Sequence, residues 1–350
     1  MVIYDEKLNI MISNEGTMSL GNVSSVSIVI PTYNRIHELI ETLSSIENQT
    51  VLPKEIIIVD DNFESSLEPD LRSERHRLCE KGVKLRYIQN STRVGLTKSR
   101  NIGVRKSSGE IILFLDDDVL LDKDYLKHLL HFYSVHREVL GVQGYWECNN
   151  KKSRISFISN ILLGLFYLPH YEYDSCNVLP SMNNTYPLNL SYATPCQWLS
   201  GCNQSYRKTI FDEFQFDEKL IKYSWKEDLD FSYSIWKKYP NTLYIIPEAR
   251  LIHKQSEVAR MPNERSAYMK EAYSRYLFHK HFSKGTKNKL IYEWSKIGEL
   301  LFILITSFTQ RDQVKDAIVK VKYWSEARKF IRLHEDEVKK GDLEFTKKYL

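Results

Sequence analysis

The sequence predicts an α/β fold, a parallel sheet covered on both faces, with an α-helical appendage at the C-terminal end. Three observations carry that prediction. Short β-branched runs alternate with amphipathic segments over the first third of the chain, and each apolar run stops at polar residues. From Arg265 onward, helical spacing persists with very few Gly or Pro.

The first run, Val26-Ser-Ile-Val-Ile30, stops at Pro31, whose missing N–H suits a strand end. Ile36, Leu39, Ile40, Leu43 and Ile46 then recur at three- and four-residue spacing, which gives a helix one apolar face. After Pro53, Glu55-Ile-Ile-Ile-Val59 is almost wholly apolar, as a strand buried on both faces requires, and it ends in Asp60, Asp61 and Asn62. Strand, helix, strand implies a right-handed crossover and a parallel sheet, and such sheets bind ligands beyond the carboxyl ends of their strands. A third run, Val83 to Ile88, leads into Gly95-Leu-Thr-Lys-Ser-Arg-Asn-Ile-Gly103, where Thr97 is placed to cap a helix. The fourth, Ile111-Ile-Leu-Phe-Leu115, follows a Ser-Ser-Gly109-Glu turn and runs straight into Asp116, Asp117 and Asp118. Beyond Asp122 we expect a helix near Tyr125 to His136, then an irregular aromatic stretch from about Tyr145 to Cys202 that shapes specificity. Strand-like Thr242 to Ile246 and Ala249 to Ile252 follow.

A chain of 350 residues with 42% hydrophobic content can bury a large core. Lys plus Arg (49) exceeds Asp plus Glu (45) by only four, so nothing in the overall charge argues for a nucleic-acid partner. The five cysteines form no CxxC pair, and an odd number without an export signal argues against a disulfide framework and for the cytoplasm. No stretch reaches the roughly 18 uncharged apolar residues of a spanning helix, the longest being Ile155 to Leu168 and Leu300 to Phe308. Lys151-Lys-Ser-Arg154 precedes the first of these, a basic-then-apolar order that suits contact with a membrane surface. The competing reading is a buried helix packed on the appendage.

Three successive carboxylates behind a buried strand repel one another unless a cation compensates them. Hard oxygen ligands suit Mg²⁺ or Mn²⁺, which complete their shells with water and substrate phosphates. A helix cap or a solvated turn is the plainer reading of a bare DxD. Here the same sheet edge also carries Pro31-Thr-Tyr-Asn-Arg35 and Asp60-Asp61, so three strand ends converge on one ligand-binding edge.

Taken in order, Val-Ser-Ile-Val-Ile-Pro-Thr-Tyr-Asn-Arg, Ile-Val-Asp-Asp-Asn, Gly-Leu-Thr-Lys-Ser-Arg-Asn-Ile-Gly and Phe-Leu-Asp-Asp-Asp resemble the successive signatures of the family 2 glycosyltransferases. These are inverting enzymes of the GT-A fold that use nucleotide-diphosphate sugars, and the resemblance covers roughly residues 24 to 124. It implies a GT-A-like, Rossmann-type nucleotide-binding sheet, with Pro31, Tyr33 and Arg35 around the nucleotide and Asp60 or Asp61 accepting from the base. Arg100 would face the donor. Asp116 and Asp118 would be the outer members of the DxD, Asp118 the direct metal ligand, with Asp117 the variable middle position on the donor side. One departure concerns the second signature, which usually continues Gly-Ser and here reads Asn62-Phe63-Glu64.

Farther on, Gln197-Trp-Leu-Ser-Gly-Cys-Asn203 resembles the family's acceptor-side segment, and Trp225-Lys-Glu-Asp-Leu-Asp230 its Glu-Asp motif. The resemblance makes Asp228 the general base, Glu227 a supporting or acceptor-binding residue, and Gly201 part of the acceptor side. Trp198 and Trp225 are candidates to stack on a sugar face at the acceptor site, core packing being the competing reading. His253 falls where many relatives carry a metal- or phosphate-contacting histidine. A base is needed because a sugar hydroxyl attacks well only as its proton is removed.

The expected organisation is an N-terminal extension (1–23), a nucleotide-sugar half (24–124), an acceptor and catalytic half (125–258) and a helical appendage (259–350). The expected partners are a nucleotide-diphosphate sugar, a UDP-sugar foremost, and a glycan or lipid-linked acceptor, with Mn²⁺ or Mg²⁺ as cofactor. The expected setting is bacterial-type surface polysaccharide or glycolipid synthesis at the cytoplasmic face of the membrane. A sugar-phosphate nucleotidyltransferase is the alternative enzyme, disfavoured because Pro-Thr-Tyr-Asn-Arg replaces a Gly-rich phosphate loop after strand one. A non-catalytic sugar-binding relative is the other, and the presence of both Asp118 and Asp228 argues against it.

Overall fold

The computed structural model describes residues 25–147, 157–172, 175–187, 190–256, 263–308, 314–347 and 349. The expected extension 1–23, the basic segment at residues 151–154 and Cys148 lie outside the described residues.

Four strands and three helices alternate at the start: β1 (Val26–Thr32), α1 (Ile36–Glu47), β2 (Glu55–Asp60), α2 (Arg72–Glu80), β3 (Lys84–Gln89), α3 (Leu96–Lys106) and β4 (Ile111–Phe114). β1 pairs parallel with both β2 and β4, and β2 parallel with β3, so the carboxyl ends of all four strands emerge on one edge. β1, β2 and β4 bury both faces by simple alternation, while the edge strand β3 is only partly buried. Ile28, Ile30, Ile56 and Ile58 join Leu39 and Leu43 of α1 in one core, while Val29, Ile57, Val59 and Phe114 join a second core on the opposite face. Phe114 packs edge-on against Phe216, with ring centroids 5.2 Å apart, and truncating such a side chain to Ala costs about 3–5 kcal/mol. α3 lies tight on β1, since a Cβ at Gly103 would come within 2.2 Å of Val29 Cγ1.

Two expectations about these elements are corrected. β1 does not stop at Pro31 but runs to Thr32. The β4 ladder has already ended at the Val29–Phe114 pair, and Val29 O accepts from Leu115 N on that side, so the missing N–H of Pro31 falls past the last bond. Thr97 does not cap α3. It lies inside the first turn, where its hydroxyl donates to Leu220 O, 3.0 Å away.

The second half completes a mixed sheet. It comprises β5 (Val119–Leu121), α4 (Tyr125–Val135), β6 (Gly141–Glu147), α5 (Phe157–Leu165), β7 (His170–Glu172), β8 (Thr185–Pro187), β9 (Thr194–Pro195), β10 (Gln204–Arg207), α6 (Glu227–Lys238) and β11 (Leu243–His253). The sheet order is β3-β2-β1-β4-β10-β6-β11-β5, with β9 added on β11 and β7–β8 forming a separate pair. β10 runs antiparallel between β4 and β6, whereas β11 pairs parallel with β6. The two strand-like runs near residue 246 are one strand, β11, whose pairing with β6 shifts register between Ile246 and Arg250.

α7 (Asn263–Phe282), α8 (Thr286–Phe308), α9 (Val314–Leu333) and α10 (Glu335–Lys340) form the helical appendage. A buried ion network ties them together: Arg275 pairs with Glu271, Glu293 and Glu335, and Lys296 pairs with Glu271. The appendage grips the rest through α6, where Asp230 accepts from His281 Nε2 at 2.6 Å and Lys280 Nζ at 2.8 Å. Among the described residues no helix is long and apolar enough to cross a membrane.

Candidate active site

A cavity of about 590 Å³ opens at the carboxyl edge of β1, β2 and β4 and extends to the start of α6. Tyr33, Arg35, Asp61 and Asp116 line it together with Gly201, Glu227 and Asp228. Strand ends thus meet a helix start across one enclosure.

The aspartate cluster divides three ways. Asp116 faces the cavity with its side chain 32% exposed, whereas Asp118 is almost fully buried behind it. β11 pairs antiparallel with β5, and the register His253 opposite Val119 sets the imidazole beside Asp118, with Nε2 3.1 Å from Oδ1 and 3.8 Å from Asp116 Oδ2. Asp116, Asp118 and His253 each offer one ligand atom within 4.8 Å of the others. Burial works to raise Asp118, but His253, the Ser256 N–H (2.9 Å) and Arg35 outweigh it and hold this carboxyl below its usual range. Burial likewise opposes charge on His253, yet Asp118, Cys202 and Asp116 push its pKa up to about 11. Asp118 Oδ1 is buried and receives no well-aligned hydrogen bond. Two carboxylates and an imidazole around such an oxygen fit a divalent cation.

Asp117 turns away from that group. Thr32 Oγ1 donates to it at 2.7 Å and Arg35 Nη1 at 3.1 Å, while burial drives its pKa up to about 7 against both. These bonds tie Arg35 and the end of β1 together, and Asp117 still lines the cavity.

Beyond the end of β1, Tyr33 lies under Arg93, whose guanidinium carbon is 4.1 Å from the ring centroid. Asp61 lines the cavity, but its carboxylate already accepts from Val94 N, Gly95 N and Asn90 Nδ2, which pins the turn before α3. Of the two candidates for the base, Asp60 is fully buried, is not among the cavity's lining residues, and accepts from Tyr87 O–H at 2.7 Å and Asn62 N at 2.9 Å.

Arg100 lines the cavity from a buried position, linking the start of α6 to the Gly201 turn. Its Nη1 donates to Glu227 at 2.9 Å and its Nη2 to Gly201 O at 3.1 Å, and Nη2 stands 3.6 Å from Asp116 Oδ1. Its guanidinium sits over the Phe216 ring at 5.3 Å.

Asp228 stands in the first turn of α6, where an acid complements the helix dipole. Its two oxygens accept from Gly201 N and Leu229 N, each at 2.8 Å, which fixes the carboxylate at the cavity wall. Burial raises its pKa. Burial and the Asp228 charge push Glu227 up to about 7 against Arg100. Gly201 packs closely here, since a Cβ would stand 3.0 Å from Arg100 Nη2 and 3.3 Å from Asp228 Oδ2 and would press on both side chains. Trp198 lies at the cavity edge, but it is largely core, with its ring N–H donating to Thr185 O at 3.0 Å. Trp225, half-buried beneath Lys270, presents more surface there.

Several lining residues escaped the sequence reading. Arg93 had no single-sequence signal. Trp146, edge-on to His253 with ring centroids 6.2 Å apart, and Cys202 are brought in by sheet pairing. Lys226 sits beside the noticed Glu-Asp motif, in the left-handed region at φ 63°, with Nζ donating to Asn183 Oδ1 at 2.9 Å. Burial and Lys296 push its pKa down to about 7.

Comparison with known proteins agrees with this geometry. The sequence model described as Glycosyl transferase family 2 matches residues 27–214. An uncharacterized glycosyltransferase of Rickettsia conorii is 29% identical over 177 residues, 51% of this chain and 26% of that protein. Glycosyltransferase GlyA of Streptococcus pneumoniae is 24% identical over 195 residues, 55% of this chain and 26% of that protein. The chain therefore spans about a quarter of the length of these relatives. Among solved structures, GalNAc-T7 with UDP, GalNAc and Mn²⁺ superposes with a TM-score of 0.53 at 17% identity, covering 79% of this chain and 55% of that one. TarS 1–349 of S. aureus gives 0.50 at 16% identity, covering 91% and 88%. Both likenesses concern the fold, which is GT-A.

Proposed function

The chain belongs to glycosyl transferase family 2, and from that premise we propose that it transfers a sugar from a nucleotide-diphosphate donor to an acceptor hydroxyl with inversion. The observation that carries the proposal is Asp228. Its carboxylate, aimed by two backbone N–H groups, opens on the same cavity as Asp116 and His253.

In this reading Asp228 takes the proton of the acceptor hydroxyl as that oxygen bonds to the anomeric carbon. The bond from that carbon to the diphosphate oxygen breaks in the same displacement. Arg100 holds Gly201 and Glu227 so that Asp228 keeps its aim, and Tyr33 beneath Arg93 offers an aromatic face to the nucleotide. Asp116, Asp118 and His253 would hold Mn²⁺ or Mg²⁺, which supplies electrostatic stabilisation of charge on the departing diphosphate. A UDP-sugar donor, a glycan or lipid-linked acceptor, and cytoplasmic work in surface polysaccharide or glycolipid synthesis complete the proposal. The family supports these finer parts. For the organisation, we propose a donor half at 24–124, an acceptor half at 125–258 and an appendage at 259–350.

The test is nucleoside diphosphate release from a panel of nucleotide sugars with Mn²⁺, with and without lipid-linked acceptors. Asp228→Asn is expected to abolish transfer while donor binding persists. Retained turnover would exclude Asp228 as base, and release of pyrophosphate instead would point to nucleotidyl transfer.

A further inference from the structure

α8 exposes an apolar stripe. Leu290, Trp294, Ile297, Leu301, Leu304 and Ile305 recur at three- and four-residue spacing on one side of the helix, and each is between 37% and 71% exposed. The spacing keeps them in line over about 22 Å at 1.5 Å per residue. The other side of α8 is committed to the appendage core, where Tyr292, Ser295 and Lys296 are buried.

Neighbouring helices widen the stripe into a face. Trp294 stacks on Phe166 with ring centroids 4.8 Å apart, and its ring N–H donates to Leu165 O at 3.0 Å, which docks the end of α5 against α8. Ile161, Leu162 and Leu165 of α5 are themselves exposed. Arg328 reaches Glu293 and Trp324 reaches Glu299, so α9 runs antiparallel to α8 and brings exposed Ile318 and Val319 to the level of the stripe's far end. An apolar surface spread over three helices is more than scattered exposure explains.

Lysines frame it. Lys284, Lys287 and Lys289 are exposed at the start of α8, and Lys320 and Lys322 on α9. Four residues beyond Leu165, Pro169 already lines the active-site cavity. The face and the cavity are thus joined by one short turn of chain.

We propose that this face of α5, α8 and α9 seats the protein on an anionic lipid surface and presents the cavity to a lipid-borne acceptor, the second part resting on the transfer reading above. Apolar side chains framed by lysines match the acyl boundary and the anionic headgroups respectively. A second copy of the chain is the competing occupant, but it would bring the same lysines face to face.

Vesicle sedimentation of the full chain tests the proposal, using phosphatidylglycerol–phosphatidylcholine vesicles against phosphatidylcholine alone. The expected result is at least tenfold stronger partition onto the anionic vesicles. Ile297→Glu with Ile305→Glu, and separately Lys287→Glu with Lys289→Glu, should each reduce partition tenfold or more without moving the melting temperature. Wild-type protein that stays in the supernatant, or variants that sediment as well as it does, would overturn the proposal. So would a concentration-dependent dimer that Ile297→Glu dissociates and that ignores vesicles. Nucleotide-sugar turnover with a water-soluble acceptor is read in parallel. Vesicle binding without turnover removes the transfer reading and leaves the surface standing; turnover without vesicle binding does the reverse.

Discussion

Replacing Arg100 by Met tests whether the start of α6 and the Gly201 turn are held by one buried cation. The substitution keeps length and bulk but removes the charge-assisted bonds to Glu227 at 2.9 Å and to Gly201 O at 3.1 Å. Glu227 is then left 6% exposed without its guanidinium, and breaking such a buried pair costs about 3–5 kcal/mol. The loss should depend on pH in a stated direction. Burial and Asp228 already push Glu227 up to about 7 in the folded protein, and without Arg100 it rises further. A carboxyl whose folded pKa exceeds its unfolded value contributes stability that is fully present below the unfolded value, about 4.3, and lost as pH rises through the folded one. The gap between wild type and Arg100→Met should therefore be smaller at pH 5 than at pH 8. Urea unfolding at both pH values measures it, with Arg100→Met/Glu227→Gln closing a double-mutant cycle. A gap under about 1 kcal/mol at pH 8, or additivity of the two substitutions, would refute that link.

Three further outcomes follow from the same geometry. Asp118→Asn should weaken Mn²⁺ affinity by about tenfold or more in calorimetric titration with nucleoside diphosphate present; unchanged affinity would remove Asp118 from the ligand set. Arg93→Ala takes the cation from Tyr33, a contact worth about 0.5–1 kcal/mol at an exposed site, so donor Kd by fluorescence titration should rise about two- to fivefold. Because burial raises Asp228 and the base must be ionised, kcat should fall with falling pH along a limb that lies above the ordinary aspartate value of about 3.9; a limb below that value in the pH–rate profile contradicts the assignment.

The first half of the fold was legible because β1, β2 and β4 are buried on both faces and read as continuous apolar runs, β3 alternates, and α1 carries its own 3.6-residue period. The second half hides for a physical reason. β5 has three residues, β9 two and β10 four, too few to display any period. β10 reads Gln-Ser-Tyr-Arg, yet Gln204, Ser205 and Tyr206 are fully buried, since Ser205 Oγ donates to Val142 O at 2.6 Å and Tyr206 O–H to Gln204 at 2.9 Å. Polar residues buried inside a sheet look like loop residues in a sequence.

At the site, residues contiguous in the chain were legible and residues joined by pairing were not. Asp228 reads from its own helix start, whereas the place of His253 depends on its register opposite Val119. The aspartate cluster shows where the electrostatic argument from sequence was too simple. Three adjoining carboxylates seemed to demand an external cation, but the protein supplies positive charge to each: Arg35 to Asp117, His253 to Asp118, and Arg100, 3.6 Å away, to Asp116. Repulsion alone therefore does not require a metal. The argument for one rests on geometry instead, because Asp118 Oδ1 is buried without an aligned donor while Asp116 and His253 converge on the same few ångströms. Charge balance describes how the cluster survives burial, and the convergence of its ligand atoms describes what it can bind.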